Sequence, residues 1–287
     1  MRKYITLLRA KQYVKNLFIL APLFFSFTFY DTNKIIVSFY AFIAFSFTAS
    51  SIYIFNDFID ITEDRNHPVK KKRPLASGEI KVSAALTIAF LMLIASLVFA
   101  LKINLLLFYI LLIYVFSNII YSIKLKHVAI IDIIILAFGF VLRIFAGAVV
   151  INVEVSMWII IITFLLTLFL SIAKRKEDVI LQGNGQNTRK NIDNYNIEFI
   201  NASMVLMASV IIVAYILFTV SPEVEIKFGT KYLYITSFFV VIGILKYMQL
   251  VFVKESSSDP TELIFKSKFL QMVILLWLLS FYLIIKV

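Results

Sequence analysis

From position 56 to position 64 the chain reads Asn56-Asp57-Phe58-Ile59-Asp60-Ile61-Thr62-Glu63-Asp64. On a continuous helix Asn56, Asp60 and Asp64 stand at i, i+4 and i+8. At about 100° per residue each step drifts by only about 40°, so the three share one face over roughly 12 Å. Carboxylates on one face repel and raise one another's pKa, and a divalent cation relieves that conflict. The chain has no Cys and only two His, His67 and His127, so the donors are hard oxygens. That set suits Mg2+, which usually takes one or two carboxylates plus substrate phosphates. Asn56, Asp60 and Asp64 are the expected Mg2+ ligands and, with Asp57 in support, the expected catalytic set. Directly after them come Arg65, His67, Lys70, Lys71, Lys72 and Arg73, then Pro74 and Gly78. Acid for the metal beside base for phosphate is what a diphosphate–Mg2+ substrate requires, and Lys70 and Arg73 are expected on phosphate oxygens. A DxxxD pair alone would read as a solvated helix end; the full run with its basic flank does not.

Other charges stand where charge is scarce. Asp132 and Arg143 lie inside an apolar run, where ionisable residues mark function by default. Eleven residues is close to three helical turns, so they share a face about 16 Å apart, too far to pair; a polar cavity is expected around them. Lys246 reads as a snorkelling or structurally paired lysine. Gly139 and Gly147 are expected to let helices approach closely. The cluster Lys174-Arg175-Lys176-Glu177-Asp178 is either a second site element or the basic stop of an apolar segment. The Gly-, Asn- and Gln-rich stretch 183–194 reads as a polar connector, with a substrate lid as the alternative.

The elements that must position these groups are membrane helices. Of 287 residues 61% are hydrophobic and 16% charged, where a soluble domain has about 45–50% and about 25%. Nine segments approach the roughly 20 apolar residues a spanning helix needs: 17–31, 35–56, 82–101, 103–121, 128–151, 155–173, 200–220, 232–253 and 269–286. Their apolar runs are continuous, without the two-residue alternation of a barrel. The expected fold is an all-α polytopic membrane protein, a bundle of nine transmembrane helices. With the N-terminus cytoplasmic, one side collects 21 of the 28 Lys and Arg and the other five, a strong positive-inside asymmetry. It explains most of the +11 net charge without nucleic acid. The N-terminal residues lack a small-residue cleavage site, and an interfacial helix through Arg2–Val14 into an uncleaved first span is expected. Absence of Cys excludes disulfides, thiolate metal sites and Cys nucleophiles.

The segment Asn56–Asp64 resembles the first aspartate-rich motif of the UbiA superfamily of intramembrane prenyltransferases, whose usual number of spans is nine. The resemblance covers essentially the whole chain, read as a single transferase domain over 1–287. Further segments are similar to one branch, the decaprenyl-phosphate phosphoribosyltransferases. These are Arg9-Ala10-Lys11-Gln12-Tyr13-Val14-Lys15-Asn16, His67-Pro68 with Arg73-Pro74 and Gly78, Gly139-Phe140-Val141-Leu142-Arg143 with Gly147, and Lys174-Arg175-Lys176-Glu177. Tyr121-Ser122-Ile123-Lys124-Leu125-Lys126 is similar to the superfamily's YxxxK segment, although here Lys stands third and fifth after Tyr; either lysine reaches a diphosphate or simply obeys positive-inside. Most UbiA-type enzymes carry a second aspartate-rich motif after the sixth span. Lys174 stands here where an acid would open it, and a more basic cluster suits a reaction whose two substrates are both phosphates.

The resemblance implies a Mg2+-dependent transferase at the cytoplasmic membrane surface. It would move 5-phosphoribosyl from phosphoribosyl diphosphate to a polyprenyl phosphate lipid. It implies phosphate-binding roles for Lys15, Lys70, Arg73, Tyr121, Lys124, Lys126, Arg143, Lys174 and Arg175, with Glu177, Asp178 and Asp132 as a second cluster. The alternative keeps the family but takes a prenyl diphosphate donor and an aromatic or glycerol-phosphate acceptor. A remote alternative is a secondary transporter using Asp132 and Arg143 as a relay, against which the scarcity of paired Gly and Pro interruptions speaks.

Overall fold

A computed structural model describes residues 2–67, 69–183, 192, 194–253 and 260–286. Among them every regular element is helical. The chain divides into two compact units, Met1–Ser156 with Gln182–Asn191, and Met157–Leu181 with Ile192–Val287.

The first unit begins with α1 (Arg2–Leu7), a 3₁₀ stretch Ala10–Leu20, and α2 (Ala21–Phe25). Then come α3 (Thr32–Ile59), α4 (Ile61–Asn66), a 3₁₀ turn Lys70–Lys72, α5 (Val82–Ile103), α6 (Leu105–Ile123), a 3₁₀ turn Leu125–His127 and α7 (Ile131–Val150). Helix α3 is its centre, packed by α5, α6, α7 and the 3₁₀ stretch. Asp31 caps its start, accepting from the Asn33 and Lys34 amides at 2.9 and 3.3 Å, as N-cap carboxylates do. Small residues let its neighbours close in: Ala41, Ala44 and Ala49 are buried beside Phe45, Leu111, Tyr114, Leu142 and Ile19. Asn104 ends the α5 run and caps α6 through the Leu106 amide at 2.7 Å, which makes two helices of one long apolar tract.

The second unit holds α8 (Met157–Gly183), α9 (Ile197–Thr219), α10 (Pro222–Phe228), a 3₁₀ turn Tyr232–Thr236, α11 (Ser237–Phe252), α12 (Pro260–Lys266) and α13 (Lys268–Lys286). Tyr215 joins three of its elements: its hydroxyl accepts from Trp277 Nε1 at 2.6 Å and meets Thr236 Oγ1 at 2.8 Å. Lys246 binds Gln249 Oε1 at 2.7 Å and lies over the Phe269 ring, the structural pairing expected of it.

Eight helices among the described residues are long and apolar enough to cross a membrane, matching the expected segments from the second to the ninth; the protein is a multi-pass membrane protein. Helix α8 runs about ten residues beyond its expected end, so Lys174–Asp178 lies on its extension. The first expected span, 17–31, is partitioned differently. The expected Arg2–Val14 helix stops at Leu7, the chain continues in 3₁₀ form, and Phe27 has φ 56°. The reason is periodicity. With 3.0 residues per turn, Tyr13, Asn16, Ile19 and Pro22 line one face, and that face meets the bundle: Tyr13 OH at Ser50 Oγ (2.9 Å), Asn16 Nδ2 at Ser46 Oγ (2.9 Å), and Ile19 fully buried. At about 2.0 Å per residue, three 3₁₀ residues advance as far as four α-helical ones, about 6 Å. Tyr13 and Asn16 therefore stay in register with Ser50 and Ser46. Gly147 admits the segment, because a Cβ there would run into the Ile19 carbonyl.

Candidate active site

Asp60 is the hinge between α3 and α4. Its φ and ψ are −89° and 5°, yet the Asp64 amide still donates to its carbonyl at 2.8 Å, so the helical path bends without losing its ladder. The bend redistributes the acids. Asn56 Nδ2 donates to Asp60 Oδ2 at 3.0 Å. Asp57 and Asp64, seven residues apart, converge instead on Arg73, whose Nη1 donates to Asp57 Oδ1 at 2.8 Å and to Asp64 Oδ2 at 2.6 Å. Arg9 forms a second ion pair with Asp57, and Lys126 pairs with Asp60. The single acidic face expected for Asn56, Asp60 and Asp64 is thus two pairs, one closed by Lys126 and one by Arg73 and Arg9.

Asp57 and Asp64 are each only 3% exposed, which sets the electrostatics. Burial pushes the Asp64 carboxyl above its ordinary value, against the pull of the adjoining Arg73 guanidinium and of Lys70. Burial likewise lowers Arg73 from its ordinary value, helped by Arg9 and opposed by both carboxylates.

The basic partners are held from several directions. Gly78, at φ 78°, takes a left-handed turn that costs a side chain dearly. The turn is pinned by the Ser77 amide on the Arg73 carbonyl (2.9 Å) and the Ile80 amide on the Pro74 carbonyl (3.1 Å). Leu75 and Ile80 sink into a core with Leu7, Ile54 and Ala85, which fixes Arg73 above the end of α3. His67 Nδ1 accepts from the Val69 and Lys70 amides at 3.2 and 3.3 Å, shaping the turn that carries Lys70; Pro68 lies outside the described residues. Of the two lysines after Tyr121, Lys126 is buried on Asp60 while Lys124 is exposed. The spacing that reaches the acids is therefore five residues, and Lys124 stands outside the cluster. Lys15 is half-buried on the 3₁₀ stretch, Tyr121 is buried at the end of α6, and Asp132 is buried in the first turn of α7.

Arg143 departs from expectation. It is 3% exposed, and its donors go to Asn16 Oδ1 (2.8 Å), the Gly139 carbonyl (2.7 Å) and Tyr114 OH (3.4 Å), with Phe45, Tyr114 and Phe140 ringing the guanidinium. Those partners surround it where a polar cavity is expected, and each of its three nitrogens donates one hydrogen bond to them. In the second unit, Arg175 is 1% exposed and donates to Asp178 Oδ2 at 3.0 Å, with Lys174 and Glu177 half-buried on the same helix. The stretch 184–191, with 193, of the expected connector lies outside the described residues.

Arg9 is the residue that sequence reasoning left out of the site. Its only signal was its place at the head of the Arg9–Asn16 segment. It takes a left-handed backbone (φ 51°, ψ 42°) and stacks over Tyr53 while reaching Asp57.

Among the described residues no three acidic or His side chains stand ready to cage a metal. The donor set nevertheless fits Mg2+, which is usually held by one or two carboxylates completed by substrate oxygens rather than by an all-protein cage. Two carboxylate oxygens, of Asp57 and Asp64, converge on one cationic nitrogen, Arg73 Nη1.

The sequence profile of the UbiA prenyltransferase family matches residues 17–273. The chain belongs to that family. It is similar to the decaprenyl-phosphate phosphoribosyltransferase of Mycolicibacterium smegmatis, 30% identical across 94% of this chain and 88% of the relative. It is also similar to the enzyme of that name from Corynebacterium glutamicum, 30% identical across 94% and 82%. Among solved structures it resembles a UbiA homologue from Archaeoglobus fulgidus bound to DMAPP and Mg2+, at TM-score 0.70 and 19% identity, covering 99% of both chains; that likeness speaks for the UbiA fold. As a UbiA-family member the chain is a transferase, and the transporter alternative falls away.

Proposed function

We propose that the protein transfers 5-phosphoribosyl from phosphoribosyl diphosphate to a polyprenyl phosphate of the decaprenyl type, releasing diphosphate at the cytoplasmic face of the cell membrane. Two relatives with that named activity match over nearly the whole chain, and the excess of Lys and Arg on one set of loops supports the orientation. The observation that carries the reading is the pairing of each carboxylate at the end of α3 with a basic side chain: Asp57 with Arg9 and Arg73, Asp64 with Arg73, Asp60 with Lys126. Three acids and three bases in one patch can exchange partners, the acids going to a cation and the bases to a diphosphate.

In that exchange Asn56, Asp60 and Asp64 would hold Mg2+, with Asp57, which shares Arg73 with Asp64, in support. When bound, the ion neutralises the charge that develops on the departing diphosphate. Arg73, Lys126, Lys70 and Arg9 bind and orient its oxygens, and Lys15 and Tyr121 lie on elements that lead to the same end of the bundle. The bond from the anomeric carbon to the diphosphate oxygen breaks, the carbon gains oxocarbenium character, and an oxygen of the lipid phosphate forms the new bond. The acceptor is already ionised, so no strong base is needed; positioning and charge stabilisation do the work. Lys174 and Arg175, with Glu177 and Asp178 on the same helix of the second unit, remain phosphate-binding candidates from the sequence. Lys124, a phosphate-binding candidate from the sequence, is exposed and has no part in this exchange.

A second reading, a prenyl diphosphate donor with a small acceptor, draws support from the Archaeoglobus fulgidus homologue with DMAPP and uses the same leaving group. Membranes carrying the protein, given labelled phosphoribosyl diphosphate and polyprenyl phosphate, should form a labelled lipid. Consumption of a prenyl diphosphate without any labelled phosphoribosyl lipid would reverse the choice.

A further inference from the structure

Arg143 carries a full positive charge within a membrane helix, and its described partners include no carboxylate: an amide oxygen, a backbone carbonyl, a tyrosine hydroxyl and three aromatic faces. A cation buried in a membrane helix is costly and marks a functional role by default. What depends on it can be traced. Its Nε holds Asn16 Oδ1; Asn16 Nδ2 passes the contact to Ser46 on α3. One turn of the 3₁₀ stretch earlier, Tyr13 meets Ser50, whose hydroxyl donates to the Leu8 carbonyl at 2.7 Å. The next residue is Arg9, turned into a left-handed conformation and laid across Tyr53 onto Asp57.

We propose that Arg143 is a positioning residue: through Asn16 it locks the 3₁₀ stretch Ala10–Leu20 to α3 and α7 and so sets Arg9 on Asp57. A 3₁₀ run of eleven residues is far longer than the three or four that are usual, and its weak internal bonds cannot define its own register. The ladder Tyr13–Ser50 and Asn16–Ser46 supplies that register, and Arg143 is the charged end that fastens it. Gly147, under the Ile19 carbonyl, gives the stretch its seat but no direction along the helix axis; the Asn16–Arg143 bond supplies the direction. The functional consequence rests on the transferase reading above, while the structural link does not.

The test separates the two. Hydrogen exchange of the full-length protein in detergent should show faster exchange of amides in 8–20 in Arg143→Met and in Asn16→Ala, with α5 unchanged. Unchanged protection of 8–20 in Asn16→Ala overturns the link, whether or not the protein has phosphoribosyl transfer activity. Asn16→Ala keeps the Arg143 side chain and cuts its bond to the stretch together with the Asn16–Ser46 bond. If Arg143→Met fails to fold, Ser46→Ala, which cuts the Ser46 bond alone, should leave 8–20 better protected than Asn16→Ala does, and equal loss in the two would overturn the role of Arg143. In a double-mutant cycle on the KM for phosphoribosyl diphosphate, Arg9→Ala and Asn16→Ala should each raise KM about tenfold, and the double variant should raise it no more than about tenfold, because both remove the same contact. A hundredfold, additive rise would show that Asn16 acts on the reaction independently of Arg9 and would overturn the proposal.

Discussion

Lys126 reaches back across 66 residues of sequence to pair with Asp60 at the hinge between α3 and α4. Lys124, two residues earlier, is exposed. Positive-inside topology alone would make the two equivalent. The pairing instead predicts that Lys126→Met lowers kcat/KM by about 10² to 10³-fold, the scale of removing one preorganised donor to developing charge, while Lys124→Met stays within about twofold. Steady-state kinetics in proteoliposomes checks both; equal effects would return the pair to topology.

The carboxylates should separate chemistry from folding. Asp60→Ala and Asp64→Ala are expected to lose turnover by about 10³-fold or more while the protein still elutes as a folded species in detergent. Asp57→Asn should fall less steeply but strand Arg9 and leave Arg73 with Asp64 alone, so its melting temperature should drop further than that of Asp60→Ala. Retained activity in both alanine variants would remove the metal assignment.

Asp64 also predicts a pH effect. Burial raises its pKa on folding, so the charged form opposes folding at pH above the folded value, and this penalty disappears as pH falls through it. Ion-free protein should therefore become more thermostable on mild acidification, with Asp64→Asn flattening that dependence. Binding of Mg2+ needs the carboxylate, so its affinity should weaken over the same fall in pH. Melting curves across pH, with and without the ion, read both.

Two glycines in α7 should behave differently. A Cβ at Gly139 meets only ordinary contacts, Arg143 and Tyr114 at 3.5 Å, whereas at Gly147 it collides with backbone. Gly139→Ala is expected to be tolerated. Gly147→Ala should destabilise by about 1–3 kcal/mol or more, as overpacking does, measured as a lower melting temperature.

The membrane helices were legible because apolar length is a local property, and eight segments stand where the composition put them. The form of the first was not legible, because its 3₁₀ conformation follows from contacts of Tyr13, Asn16 and Ile19 with distant helices, which no local pattern carries. The acidic run at 56–64 and the basic residues behind it were readable as a cation and phosphate site. Its grouping was not: the bend at Asp60 and the approach of Arg9 and Lys126 are tertiary, so a face drawn on a straight helix joined Asp64 to Asp60 instead of to Asp57. For Arg143 the sequence signalled that a buried charge matters, but its partners Asn16 and Tyr114 lie 127 and 29 residues away.

The account rests on the exchange of ion-pair partners at the end of α3, and calorimetric titration of the purified protein with phosphoribosyl diphosphate addresses it directly. Binding in the presence of Mg2+ should be at least tenfold tighter than in EDTA, and that gain should vanish in Asp64→Ala. Equal binding with and without the ion, or an undiminished gain in Asp64→Ala, would contradict it.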